Sequence, residues 1–261
     1  MFDKIAAALS VIALGASGFA VYKTTSVGDV PSGIPEKAIA AYLRENPQAI
    51  IASLESYERE TRASAARQQA ELDVDLIATN KTALLEDGYS HVSGNLDGDV
   101  TVVEFLDYNC GYCKKAHSEV QALLSSDKKI RYVLKEFPIL GPGSTFAARA
   151  ALASQQQADA TKYSEFSDRL MSHKGTHDET SVIEIATAVG LDPEQLQVDM
   201  ASPEIDRMLK KNYALAETLN ITGTPGFVIG ESIVRGYVPA SRLQELADAA
   251  RTKLAVSGSE G

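Results

Sequence analysis

Residues 100–107, VTVVEFLD, form an apolar, β-branched run broken by one internal charge, the pattern of a strand buried on both faces. A helix is predicted from near Cys110 to about Leu124. Residues 129–139, KIRYVLKEFPI, then alternate like a second strand that stops at Pro138. Helical segments follow over 144–158, 162–173, 180–189, 193–200 and 203–219. Two short strands, GFVIG at 226–230 and SIVRG at 232–236, lie close enough to form a hairpin. A last helix over 240–256 places Leu243, Leu246, Ala247 and Leu254 on its buried side. Strand, helix, strand, helical block, hairpin and helix together predict an α/β domain over residues 88–256, with a helical insertion at about 144–220.

The N-terminal third is patterned differently. Residues 35–47 read as a short helix with Pro35 at its first position and Ile39, Tyr42 and Leu43 on one face. Pro47 opens a second helix whose early face carries Ile50, Ile51, Leu54 and Tyr57. Residues 58–71, ERETRASAARQQAE, have helix-forming composition but no apolar stripe, as in a solvated spacer or an unstable helix. Apolar side chains return at Leu72, Val74, Leu76, Ile77, Leu84 and Leu85. Residues 34–87 are therefore expected to form a helical self-association region and arm, giving a homo-oligomer through residues 34–57. The competing arrangement packs that apolar face back on the main domain.

Upstream, residues 24–33 read as a turn-rich linker, and residues 5–22 form an uncharged apolar run between Lys4 and Lys23. Residues 1–23 fit a secretory signal cut after Gly18-Phe19-Ala20, or a retained anchor tethering the protein to the inner membrane, since ~20 apolar residues span a bilayer. Both place the folded part in an oxidising compartment. The net charge of −10, with no basic stripe, argues against nucleic acid as a partner.

Composition matters most at cysteine. The chain has two, Cys110 and Cys113, in DYNCGYC. A staple across so short a loop constrains the unfolded chain very little, which leaves a redox pair, a metal site or coincidence. Cys110 is placed where a strand gives way to a helix, and unpaired N–H groups and the helix dipole there favour a thiolate. Cys113, one turn further in, is placed to resolve a mixed disulfide, while Asn109 and the small Gly111 leave room for a substrate. A copper or zinc site would have to recruit ligands from His91, His117, His173 and His177, of which His173 and His177 have i, i+4 spacing around Gly175. The stretch ITGTPGFVIG puts Thr224-Pro225 just before a strand, a setting in which a cis proline would present the Thr224 backbone to an extended substrate. Glu104, a carboxylate inside an apolar strand, needs a partner or a proton; Lys135 is the candidate partner.

VEFLDYNCGYC followed far downstream by TGTPGFVIG resembles the thioredoxin superfamily, and the helical block between the strands is similar to its DsbA-like branch over about residues 92–256. The helical region ahead of a C-G-Y-C motif resembles the periplasmic suppressor-of-copper-sensitivity C-type proteins, some of which self-associate and act as disulfide isomerases. This implies a thioredoxin fold with an inserted helical domain behind an N-terminal oligomerisation arm. It also implies Cys110 as nucleophile, Cys113 as resolving thiol, Pro225 as the cis proline with Thr224 before it, Glu104 as the acid that assists proton transfer, and no cofactor. The inner dipeptide Gly111-Tyr112 replaces the Pro-His of DsbA, and Thr224 replaces its Val; both changes resemble dimeric isomerases such as DsbC. The implied activity is that of a thiol–disulfide oxidoreductase acting on cysteine-containing client proteins. It would be either an isomerase or reductase served by a DsbD-type membrane reductant, or a DsbA-like oxidase served by a quinone-linked partner.

Overall fold

The computed structural model describes residues 36–259, so the leader and linker expected over 1–33 lie outside the described residues. The chain divides between Glu60 and Thr61 into two compact units. In the first, helix α1 (Glu36–Glu45) ends at Asn46, because a residue before proline is disfavoured in the helical region. The Asn46 side chain donates to the Tyr42 carbonyl oxygen there. Helix α2 (Pro47–Thr79) starts at the next residue and runs unbroken through the polar stretch 58–71. No residue of α1 is buried, and Tyr42, Ile50, Ile51, Leu54 and Tyr57 are exposed.

The second unit is built on a five-stranded sheet, ordered β1 (His91–Gly94), β3 (Ile130–Glu136), β2 (Val100–Leu106), β4 (Gly226–Ile229) and β5 (Ser232–Arg235). Only β2 and β3 run parallel, joined by helix α4 (Gly111–Ser126). Strand β1 was not foreseen: four residues, HVSG, offer little apolar pattern, and it pairs antiparallel with β3 as an edge.

Because strand side chains alternate, β2 sends Val102, Glu104 and Leu106 to one face and Val103 and Phe105 to the other. The first face packs against α4 and the last helix, α10 (Ala240–Ser259), and holds both cysteines. The other is covered by α3 (Lys81–Leu85), by Leu215, Ala216 and Leu219, and by Leu76 and Ile77 of α2. Leu84 is fully buried there. An apolar sheet face needs a lid, and residues 76–85 supply part of it. Asp73 of α2 fastens this lid, accepting from both terminal nitrogens of Arg235 at 2.7 and 2.9 Å.

The insertion between β3 and β4 comprises α5 (Pro142–Ser154), α6 (Ala160–Ser172), α7 (Glu179–Ala188), α8 (Pro193–Met200) and α9 (Pro203–Thr218). Its helices start where the sequence supplies caps. Asp159, Asp178, Asp192 and Ser202 each accept from first-turn N–H groups, and Pro193 and Pro203 occupy first-turn positions that need no donor.

Candidate active site

Cys110 is the N-cap residue of α4, with φ −74° and ψ 118°. Its sulfur lies 3.2 Å from the Thr224 carbonyl oxygen, to which it donates only while protonated as the thiol. The Thr224–Pro225 peptide that carries this oxygen is cis. Cys110 is held below the ordinary thiol range, at about 5. The largest cause is a hydrogen bond from the Cys113 side chain; burial opposes it, and Thr224 and the backbone N–H groups of Cys113 and Tyr112 add to it. Those two N–H groups are the N2 and N3 donors that a helix start leaves free. Cys113, fully buried, is pushed the opposite way by the same bond, by burial and by the charge of Glu104. One sulfur is therefore an anion at neutral pH and its neighbour a protonated donor. Gly111 faces open space and Tyr112 is exposed, while Cys110 itself is 7% exposed and Cys113 fully buried.

Glu104 is buried on the cysteine face, and its carboxylate accepts from the Tyr132 hydroxyl at 2.5 Å. Burial pushes its pKa up to about 7, Tyr132 holds it down and the Cys110 charge raises it. The expected partnership with Lys135 is corrected. In the parallel register Glu104 lies opposite Leu134, so Lys135 projects from the other side of β3. There it donates to Asp87 at 2.5 Å and to the Ala83 carbonyl oxygen at 2.7 Å. Tyr132, two residues back on β3, holds the position in its place.

Further groups near the site were missed by sequence reasoning. Asp107 accepts the Asn109 N–H through one oxygen and the Ile139 and Leu140 N–H groups through the other, tying the nucleophile loop to the loop after β3. Glu136 is a second buried acid; it accepts from Tyr108 at 2.8 Å and Tyr163 at 3.2 Å, and burial pushes it up to about 8. Its place at the end of an alternating strand was the available signal. Among the four histidines, His117 pairs with Asp168 at 3.3 Å and His91 stacks on Tyr163. The rings of His173 and His177 come within 5.2 Å, but both nitrogens of His177 face other partners. Among the described residues no group of three or more His, Cys, Asp or Glu is placed to hold a metal, and no helix is long and apolar enough to cross a membrane.

Residues 101–251 match the family model of the DSBA-like thioredoxin domain. Among solved structures, a thioredoxin-like oxidoreductase from Silicibacter pomeroyi is 50% identical, with TM-score 0.64, over 66% of this chain and 98% of that one. The thiol-disulfide exchange protein alpha-DsbA2 of Wolbachia pipientis is 30% identical, with TM-score 0.66, over 70% and 97%. The catalytic domain of Proteus mirabilis ScsC is 25% identical, with TM-score 0.62, over 68% and 97%. Curated relatives that match include Na(+)/H(+) antiporters NhaA. The one from Salinispora tropica is 28% identical over 141 residues, and the chain spans 21% of its length.

Proposed function

The chain belongs to the DsbA-like thioredoxin domain family, and from that premise we propose that it is an exported thiol–disulfide oxidoreductase, working on client proteins as a disulfide isomerase and reductase. The observation that carries this reading is the division of labour between the two sulfurs, one ionised at a helix start and the other buried and protonated. The Cys110 thiolate attacks a client disulfide, and one client sulfur leaves as thiolate while the other stays bonded to Cys110. In isomerisation that freed thiolate, or another client thiolate, attacks elsewhere and finally displaces Cys110 unchanged. In reduction Cys113 attacks the Cys110 sulfur, its proton passing to the Glu104–Tyr132 pair. The client leaves as a dithiol and a Cys110–Cys113 disulfide remains.

That disulfide needs a dithiol reductant, in this reading a membrane partner of the DsbD type. Gly111-Tyr112 between the cysteines and Thr224 before the proline support isomerase over oxidase, as does the similarity to ScsC. The exposed apolar side chains of α1 and early α2 support self-association, which would place several sites around one client and raise their effective concentration. The apolar run at residues 5–22 supports delivery to the periplasm, free or tethered.

The second reading, a DsbA-like oxidase fed by a quinone-linked partner, draws on the similarity to alpha-DsbA2. An equilibrium redox titration against glutathione, run beside refolding of scrambled ribonuclease, separates the two. Recovery of ribonuclease activity by the reduced protein supports isomerisation. Absent recovery, with rapid oxidation of reduced ribonuclease, makes the protein an oxidase.

A further inference from the structure

His177, in the loop before α7, is 1% exposed and lies 68 residues from Asn109, yet its Nδ1 is 2.6 Å from the Asn109 side-chain oxygen. Its Nε2 is 2.8 Å from the Leu170 carbonyl oxygen, which can only accept. Nε2 must therefore carry a proton. A neutral ring then has only a lone pair at Nδ1, facing an oxygen that also has only lone pairs. Two arrangements resolve this conflict. In one, the ring is protonated and donates through both nitrogens, and the Asn109 amide nitrogen donates to Ser144 Oγ at 3.1 Å as the structure has it. In the other, the ring is neutral and the carboxamide is turned over, its nitrogen donating to Nδ1 and its oxygen accepting from the Ser144 hydroxyl. The carboxamide is nearly symmetric in outline, so both fit the same space.

We propose that His177 is a positioning residue for the nucleophile, its protonation and the orientation of Asn109 switching together and coupling to the ionisation of Cys110. This rests on Cys110 being the attacking thiol. Asn109 precedes Cys110 directly, and its backbone N–H is already held by Asp107, so little slack separates the switch from the sulfur. The amide is also clamped from the insertion: a Cβ at Gly143 would come within 3.2 Å of both the Asn109 amide nitrogen and the His177 carbonyl oxygen.

The ring's surroundings set where it titrates. Burial lowers its pKa most. The bond to Leu170 raises it, Lys114 of α4 and His173 at the end of α6 lower it, and Asp107 raises it. The Tyr108 ring packs beside it at 6.2 Å. A negative sulfur at Cys110 joins Asp107 in favouring the charged ring, and by linkage the charged ring favours the thiolate.

The test is an NMR titration of the His177 ring in wild-type protein, as the Cys110–Cys113 disulfide and as the dithiol. The expected result is a pKa higher in the dithiol form by roughly half a unit or more, the scale of a screened charge interaction across one residue. The Asn109 side-chain amide resonances should shift with the same midpoint, and the difference between forms should vanish in reduced Cys110→Ser. Equal pKa values in the two forms, or a ring that never titrates, would overturn the proposal. His177→Gln, whose amide can still donate to the Leu170 carbonyl oxygen but cannot ionise, should remove one inflection from the Cys110 thiolate titration; an unchanged titration also overturns it. If instead Cys110→Ser leaves client turnover intact, the underlying assignment of the nucleophile fails, a result distinct from either of these.

Discussion

The sulfur of Cys110 lies 3.2 Å from the carbonyl oxygen of Thr224, 114 residues further along the chain. In the proposed reaction an extended client segment pairs with that backbone while presenting its disulfide to Cys110, so that binding and attack would share one spot. The thiolate's pKa of about 5 sets what it does there. At pH 5.5 an ordinary thiol is only ~0.1% ionised while Cys110 is mostly thiolate, a several-hundredfold difference in the reactive form. Lower basicity takes back roughly thirtyfold of this in intrinsic nucleophilicity. Reduced protein should therefore react with iodoacetamide roughly tenfold or more faster than a model thiol at pH 5.5, with an inflection near 5, and Cys110→Ser should abolish the reaction. A rate still climbing through pH 8 would show that the low pKa is absent.

Glu104 titrates at about 7 when folded, against an ordinary 4.5. Between those values the native state holds the proton and the unfolded state does not, so stability falls as pH rises from 4.5 to 7 and then levels off. The shift of about 2.5 units corresponds to roughly 3 kcal/mol. Reduced Glu104→Gln should match wild type near pH 4 and exceed it by up to about 3 kcal/mol above pH 7, measured by urea unfolding. The same variant should lengthen the life of the mixed disulfide, because Cys113 loses the nearby carboxylate that takes its proton. A stability difference that is flat with pH would mean Glu104 is not buried with a raised pKa.

Lys135 and Asp87 form an ion pair on the opposite sheet face, with side-chain exposures of 0% and 9%. Removing one partner leaves the other charge buried alone, which costs about 3–5 kcal/mol. Lys135→Met should lose stability on that scale while the pH profile of thiol alkylation stays where it was. Adding Asp87→Asn should recover part of the loss in a double-mutant cycle. A displaced thiol profile would place Lys135 in the redox site after all.

The misassignment of Lys135 shows where the sequence stops being legible. Strands β2 and β3 are buried on both faces, so their composition says that they are interior and little about which residues look the same way. Only the parallel register, Glu104 against Leu134, sends Glu104 towards Tyr132 and Lys135 away from it. The start of α4 at Cys110 could be read because a strand, a polar loop and a helical period follow one another within a few residues, all local signals. The Asn109–His177 contact could not, since it depends on how the insertion folds back over the site. The part that residues 76–85 play in covering the sheet was hidden for a similar reason. Leu76, Ile77 and Leu84 read as an ordinary apolar stripe until a sheet face in need of cover is known.

The exposed apolar residues of α1 and early α2 lead to the last prediction. Tyr42, Ile50, Ile51, Leu54 and Tyr57 are each at least half exposed, an apolar concentration that monomeric surfaces seldom leave bare. If copies of the chain meet there, the mature protein should sediment as an oligomer, and a variant lacking residues 34–57 as a monomer. Chemistry at Cys110 belongs to the second unit, so the variant should reduce a small disulfide at an unchanged rate per site. Refolding of scrambled ribonuclease should fall several-fold, because a client released from one site no longer has another close by. A monomeric full-length protein would remove the oligomer. An oligomer that dissociates with no loss of ribonuclease refolding would instead leave self-association without a part in isomerisation.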